Sequence, residues 1–288
     1  MSSVATAAPP AKPARALTLD AGQVDFFWEH GFLRVEQVYT PAEMDELDAE
    51  MERLMVEWAR LTPGWSGDWR KAYMDAETEK KANLRAMHDL WLYSAAFARA
   101  VTNPRLVGAV ADLIGPNVEL HHSTMHVKPP STGQPFPLHQ DNAFYVHRNE
   151  RYVDALIHLD DTCHENGEIR FLDGSHRRGP LDHIRRTATG ERCTPHLPTD
   201  RWRLADTVAV PAARGDVVLF DLFTIHGSYL NQTDRARRMV RVGYRDPDNR
   251  QVQGQSALRP GWIVAGKRSR APGDELFDNQ SIPADRDR

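Results

Sequence analysis

The sequence predicts a mainly β protein with flanking helices, a sandwich or barrel with the helices packed outside. Three observations carry this. Helical patterns with well-formed caps occupy the chain up to Gly115-Pro116-Asn117. Short β-rich runs separated by turn residues replace them from Val118 onward. The 288 residues suffice to bury one full hydrophobic core. A single domain over 19–288 is therefore expected, behind an Ala- and Pro-rich tail, 1–18, that cannot bury enough surface to offset its ordering entropy.

The elements follow in order. Val24, Phe27 and Trp28 stand at helical spacing and predict a short helix over 20–29, stopped by Gly31, with a strand over 32–35 behind it. Thr40-Pro41-Ala42-Glu43 opens the next helix. The threonine can cap it, the proline suits the first helical position, and Glu43 completes a capping box. Met44, Leu47, Met51, Leu54, Met55 and Trp58 then recur as a packed core face. A loop is expected over 64–67 and helices over 95–100 and 105–114. Strands are expected over 118–127, 153–159, 169–172, 207–210, 217–220 and 239–244. Beyond Arg245 the chain is polar, with Gly, Pro and charge, and reads as loops.

Composition narrows the partners. A net charge of −4 lacks the basic excess of a general nucleic-acid binder. No apolar run approaches the roughly 18 residues needed to cross a bilayer, so no membrane partner is expected. Cys163 and Cys193 form neither a zinc-type cluster nor a disulfide framework, and two free thiols fit a reducing, cytoplasmic location. Oligomeric state stays open between monomer and homodimer.

Chemistry concentrates in Pro137-Leu138-His139-Gln140-Asp141. The segment offers two metal ligands two residues apart, and a third candidate, His226, follows 85 residues after Asp141. Two histidines and one carboxylate on one face of an iron leave positions free for a cosubstrate and dioxygen. A second triplet, His158-Leu159-Asp160, competes, because residues i and i+2 of a strand share a face. Context separates them. The second triplet lies inside a continuous strand-like run, 154–161, whereas His139 follows a Pro-rich loop, 128–137, and is expected to begin a strand at a barrel mouth. Ligand sites belong at mouths. For His226 the alternative is a buried histidine satisfied by a carbonyl, but the small residues Gly227 and Ser228 would let a ligand approach. Arg237 could grip a carboxylate through two parallel hydrogen bonds; the alternative is a solvated basic turn, since Arg235, Arg237 and Arg238 crowd together.

These residues fall in an ordered set. Lys128-Pro129-Pro130 leads into the His139 segment, followed by Asn166-Gly167, Gly174-Ser175-His176, Gly215-Asp216, His226-Gly227-Ser228, Asn231, Thr233 and Arg237. With the opening 26–32, the chain resembles the phytanoyl-CoA dioxygenase family of Fe(II)- and 2-oxoglutarate-dependent oxygenases over roughly 20–244. The resemblance implies a double-stranded β-helix, a jelly-roll barrel with iron at one mouth. It implies His139, Asp141 and His226 as iron ligands and catalytic residues. It implies Arg237 and Ser228 on the distal carboxylate of 2-oxoglutarate, and Thr124 as a further cosubstrate contact. Arg85 aligns with another such contact, with His88 as its competitor. Leu156 stands where some members place a tryptophan against the cosubstrate. His176 aligns with a structural loop residue. Of His121, His122 and His126 on one strand, the second and third share a face, so one could line the pocket.

The implied cofactors are Fe(II), 2-oxoglutarate and O2, with ascorbate supportive. The implied reaction oxidises an unactivated C–H bond of a small-molecule metabolite and releases succinate and CO2. A carboxylate at Asp141, where related halogenases carry a small residue, implies hydroxylation or another oxidation and not halogenation. Asn142, Phe144, Tyr145 and His147 are candidate pocket residues, while Arg148, Arg151, Arg177 and Arg178 form basic loops near the mouth, read as solvated, with attraction of an anionic substrate as the alternative. Two other classes compete: a barrel that binds a small ligand or metal without catalysis, and a metal-dependent hydrolase or isomerase. Neither needs a carboxylate clamp beside three metal ligands.

Overall fold

The computed structural model describes residues 18–255 and 261–268. The tail expected over 1–18 falls, except for Thr18, outside the described residues. The capping signals act as their chemistry dictates. Asp20 caps the helix Ala21–His30 and Thr40 caps Pro41–Glu57, each through a full capping box. Gly31 ends the first helix at φ 84°. Asn103 caps Pro104–Ile114 by accepting from Arg105 and Leu106 N–H.

Two antiparallel sheets form the barrel, beside two short two-stranded ones. The larger runs Phe32–Val35, Val217–Asp221, Tyr152–His158, Arg237–Arg245, Val118–Lys128, Leu84–His88 and Arg60–Thr62, with Trp262–Ala265 also on Val118–Lys128. The smaller runs Val208–Ala209, Arg170–Phe171, His226–Ser228 and Phe136–His139. The fold is a double-stranded β-helix covered on one side by helices.

Period-two alternation in the large sheet builds two distinct cores. Ala155, Ile157, Val217, Leu219, Val240 and Val242 face the helices and pack with Phe27, Met44, Met51, Phe97 and Val110. Their strand neighbours Leu156, Val218, Phe220 and Met239 face the barrel interior and meet Phe32, Ile169 and Phe171. On Arg237–Arg245 the inward set therefore contains Arg237, Met239 and Arg241, and the outward set Arg238, Val240 and Val242.

Three expectations are corrected. Phe136–His139 ends at the histidine, and a 3-10 turn, Asp141–Ala143, follows, so His139 closes a strand and does not begin one. The region past Arg245 holds two strands, Gln251–Gly254 and Trp262–Ala265. The helical half also carries Arg60–Thr62 and Leu84–His88, which have too little apolar alternation to stand out in the sequence.

Candidate functional site

His139 and His226 lie directly opposite each other on neighbouring antiparallel strands, with ring centroids 4.1 Å apart. Asp141 reaches them from the 3-10 turn: its Oδ1 lies 3.4 Å from His139 Nε2 and 3.7 Å from His226 Nε2. The three ligand atoms fall within 4.8 Å of one another, and all three residues are buried. Both imidazoles are fixed in one tautomer. Nδ1–H of His139 donates to Pro137 O at 2.8 Å, and that of His226 donates to Thr224 O at 3.0 Å. Each Nε2 lone pair is thereby left facing the common centre, an arrangement that orients histidine ligands. Burial, with His139 alongside, pushes the His226 imidazolium down to about 3, so the ring is neutral and able to ligate. Burial works against ionising Asp141, yet Arg241 and His226 outweigh it and hold the carboxyl well below its usual range.

The intervening Gln140 holds this turn in place. Fully buried, it donates to Gly179 O and Phe223 O and accepts from Leu181 N–H at 2.8 Å. Sequence reading passed over it because a glutamine between two ligands looks like a spacer.

Behind Ser228, which lines the cavity, lies a cationic recess. Arg237 is 1% exposed, its Nη2 donates to Gly167 O at 3.2 Å, and its Nε and Nη1 have no hydrogen-bond partner among the described residues. Its direct cross-strand neighbour is Lys128, also fully buried, whose Nζ donates to Ser228 Oγ at 2.7 Å and to Tyr229 O. Burial pulls the Arg237 guanidinium down to about 10, and burial with Arg237 nearby pulls Lys128 well down. Two buried basic side chains at paired strand positions, one of them bonded to the Ser228 hydroxyl, make a recess suited to an anion. Lys128 was legible only as the start of a Lys-Pro-Pro motif; its charge role appears once the strand register sets it opposite Arg237.

The remaining candidates separate. Thr124 faces the interior, where its Oγ1 meets His88 Nδ1 at 3.1 Å. Arg85 does not join them: it alternates to the opposite face of the strand and donates to Met55 O at 2.6 Å on the helical side. Leu156 and His126 line the cavity. His122 touches Arg241, with Nη2 to Nε2 at 3.2 Å. The competing triplet does not join this set, since Asp160 is turned to Arg238, which holds it at 2.6–3.0 Å. Several motif residues are supports. Asn231 bonds Lys128 O, Pro129 O and Arg235 O, Ser175 Oγ accepts from Ile225 N–H, and His176 meets Trp28 O.

A family model for "Phytanoyl-CoA dioxygenase (PhyH)" matches residues 27–239, most of the chain. The chain belongs to the phytanoyl-CoA dioxygenase family. With that family it is a 2-oxoglutarate-dependent dioxygenase, an oxidoreductase. It is 31% identical over 219 residues to a probable alpha-ketoglutarate-dependent hypophosphite dioxygenase of Stutzerimonas stutzeri, covering 68% of this chain and 76% of that one. It is 30% identical over 258 residues to the ectoine dioxygenase of Halomonas elongata, covering 84% and 74%. The solved EctD of S. alaskensis, with 2-oxoglutarate and 5-hydroxyectoine, superposes with a TM-score of 0.65 at 22% identity, covering 91% of this chain and 88% of that one. That protein has also been solved with bound Fe. No helix among the described residues is long and apolar enough to cross a membrane.

Proposed function

We propose that the chain oxidises an unactivated bond to hydrogen in a small-molecule metabolite, consuming 2-oxoglutarate and O2 and releasing succinate and CO2. The observation that carries this is a buried His-Asp-His set on the cavity together with a buried arginine, Arg237, two of whose nitrogens have no hydrogen-bond partner among the described residues. A metal-binding barrel without catalysis needs the first and has no use for the second. The donor set fits ferrous iron: two imidazole Nε2 atoms and one ionised carboxylate, with their outer atoms already hydrogen-bonded.

His139, Asp141 and His226 hold the metal in this reading, and bound iron supplies the dioxygen chemistry. Arg237, backed by Lys128 and Ser228, takes the distal carboxylate of 2-oxoglutarate and so fixes which end of it faces the metal. His126 lines the cavity, and Thr124 lies two residues before it on the same face of the strand. Trp65 caps the centre, its ring 4.7 Å from that of His139, and keeps bulk water from it. The Asp141 carboxylate occupies the ligand position that a halide would need, which favours hydroxylation over halogenation.

The test measures succinate release by purified protein supplied with Fe(II), ascorbate and 2-oxoglutarate, together with anaerobic calorimetry of 2-oxoglutarate binding. Metal-dependent binding and slow succinate release are expected. Absence of 2-oxoglutarate binding by the metal-loaded protein overturns the proposal.

A further inference from the structure

We propose that the substrate is a compact anion, a carboxylate or phosphorus oxyacid, whose oxyanion is taken by Arg241 beside the metal centre. The inference rests on the oxygenase reading above and names the substrate class of that same site.

Arg241 sits four residues beyond Arg237 on the same inward face of one strand, roughly 13 Å along it. It lines the cavity with Trp65, Asp141 and the two histidines. Arg241 is buried, 8% exposed as a residue. Nη1 donates to Asp141 Oδ2 at 2.5 Å and to Tyr145 Oη at 2.7 Å, and Nη2 meets His122 Nε2 at 3.2 Å. Nε has no hydrogen-bond partner among the described residues. A guanidinium offers five N–H bonds in a fixed fork, so these contacts occupy one end of it and leave the Nε side open. A buried, unsatisfied donor on a charged group is costly unless something arrives to accept from it. An oxyanion accepting from Nε and Nη2 side-on is the partner whose geometry matches.

Size follows from the roof. Trp65 packs on His139, Phe136 and Phe144 at ring distances of 4.7, 4.8 and 5.0 Å. Its loop is pinned, since Gln134 Oε1 accepts from Trp65 N–H at 3.2 Å and Arg70 donates to Trp65 O at 3.0 Å. The free volume beneath it is about 30 Å³. Admitting the cosubstrate already requires these side chains to shift, and a compact substrate asks least of them.

The reaction balances as X–H plus O2 plus 2-oxoglutarate giving X–OH, succinate and CO2. One oxygen atom enters the X–H bond and the other enters succinate. The substrate and 2-oxoglutarate each lose two electrons, and O2 takes up four.

Two measurements test the assignment. Wild-type protein with Fe(II) and 2-oxoglutarate is challenged with formate, acetate, hypophosphite, phosphite and methylphosphonate, and with formamide and acetamide as neutral counterparts. At least one oxyanion is expected to raise succinate release tenfold or more, with the amides below twofold; which oxyanion responds separates carboxylate from phosphorus chemistry. In parallel, calorimetry on the Mn(II)- and 2-oxoglutarate-loaded protein follows binding of that oxyanion without turnover. Arg241→Lys keeps a charge near Asp141 and removes the fork, and is expected to weaken oxyanion binding at least tenfold more than it weakens 2-oxoglutarate binding. If 2-oxoglutarate binds and no oxyanion stimulates or binds, the inference falls while the oxygenase reading stands. Amides matching the oxyanions, or equal losses for both ligands in Arg241→Lys, also overturn it. If 2-oxoglutarate fails to bind, both fall together. Should Arg241→Lys not fold, the wild-type comparison of oxyanions with amides decides alone.

Discussion

Arg237 offers the sharpest prediction, because its isolated state and its proposed role pull in opposite directions. Its Nε and Nη1 are buried without an acceptor. A hydrogen bond to a charged group contributes about 1.5–3 kcal/mol, so two made to one carboxylate contribute about 3–6 kcal/mol. At about 1.4 kcal/mol per tenfold, Arg237→Met should weaken 2-oxoglutarate binding roughly 10²- to 10⁴-fold. Arg237→Lys keeps the charge but loses the fork, and should lose roughly 10- to 100-fold. Calorimetric titration of the Mn(II)-loaded protein measures both. Without ligand the sign reverses. Arg237 has a single bond, to Gly167 O, to set against the cost of burying its charge, so Arg237→Met should melt no lower than the parent. A methionine variant that binds 2-oxoglutarate within threefold of the parent, or one that melts far lower, refutes the reasoning.

Three further outcomes are expected. Asp141→Ala should abolish metal binding and turnover, whereas Asp160→Ala should keep metal and lose about 1–3 kcal/mol of stability through its bonds to Arg238; metal titration and denaturant melts separate the two. Gly167 has φ 75°, and a Cβ there would run into Tyr229 O and Lys128 Nζ. Gly167→Ala should therefore cost about 1–2 kcal/mol for the backbone alone and lower 2-oxoglutarate affinity by displacing Lys128, as the same titration would record. Burial raises the Asp221 carboxyl to about 7, above its unfolded value, so the folded state holds a proton that the unfolded chain has lost. Stability should fall as pH rises from about 4 to 7, by at most about 4 kcal/mol. Asp221→Asn, whose amide oxygen can still accept from Phe223 N–H, should flatten that slope in melts at pH 4.5 and 8; an unchanged slope counts against it.

Local signals were legible where a few neighbouring residues decide the outcome. Thr40, Pro41 and Glu43 announce their helix because the cap is made within four residues. The short apolar run 217–220, set off by the Gly215-Asp216 turn, announces a strand buried on both faces. The converging set of His139, Asp141 and His226 was legible through spacing and motif order. Arg85 against His88 was not, since the choice depends on which way a short strand alternates against Val118–Lys128. Gln140, Lys128 and Arg241 escaped notice for a related reason. Their roles exist only between chain segments, in bonds spanning 39 to 101 residues.

Both arginines that bracket the centre hang from one strand, and this makes the site unusually sensitive to indels there. Gly243 lies opposite His122 and Tyr244 opposite Leu120, so the partner strand spends one extra residue at that point. That irregularity sits just past Arg241 and helps fix where the ladder begins to count. Losing one residue between it and Arg237 would turn Arg237 toward the oily layer under the helices and bring Arg238, with its acidic neighbours stranded outside, into the barrel. Evolution along this lineage is thus freer to swap side chains on Arg237–Arg245 than to change its length, and variation in what the enzyme accepts is expected to come from exchange at position 241 and in the Trp65 loop.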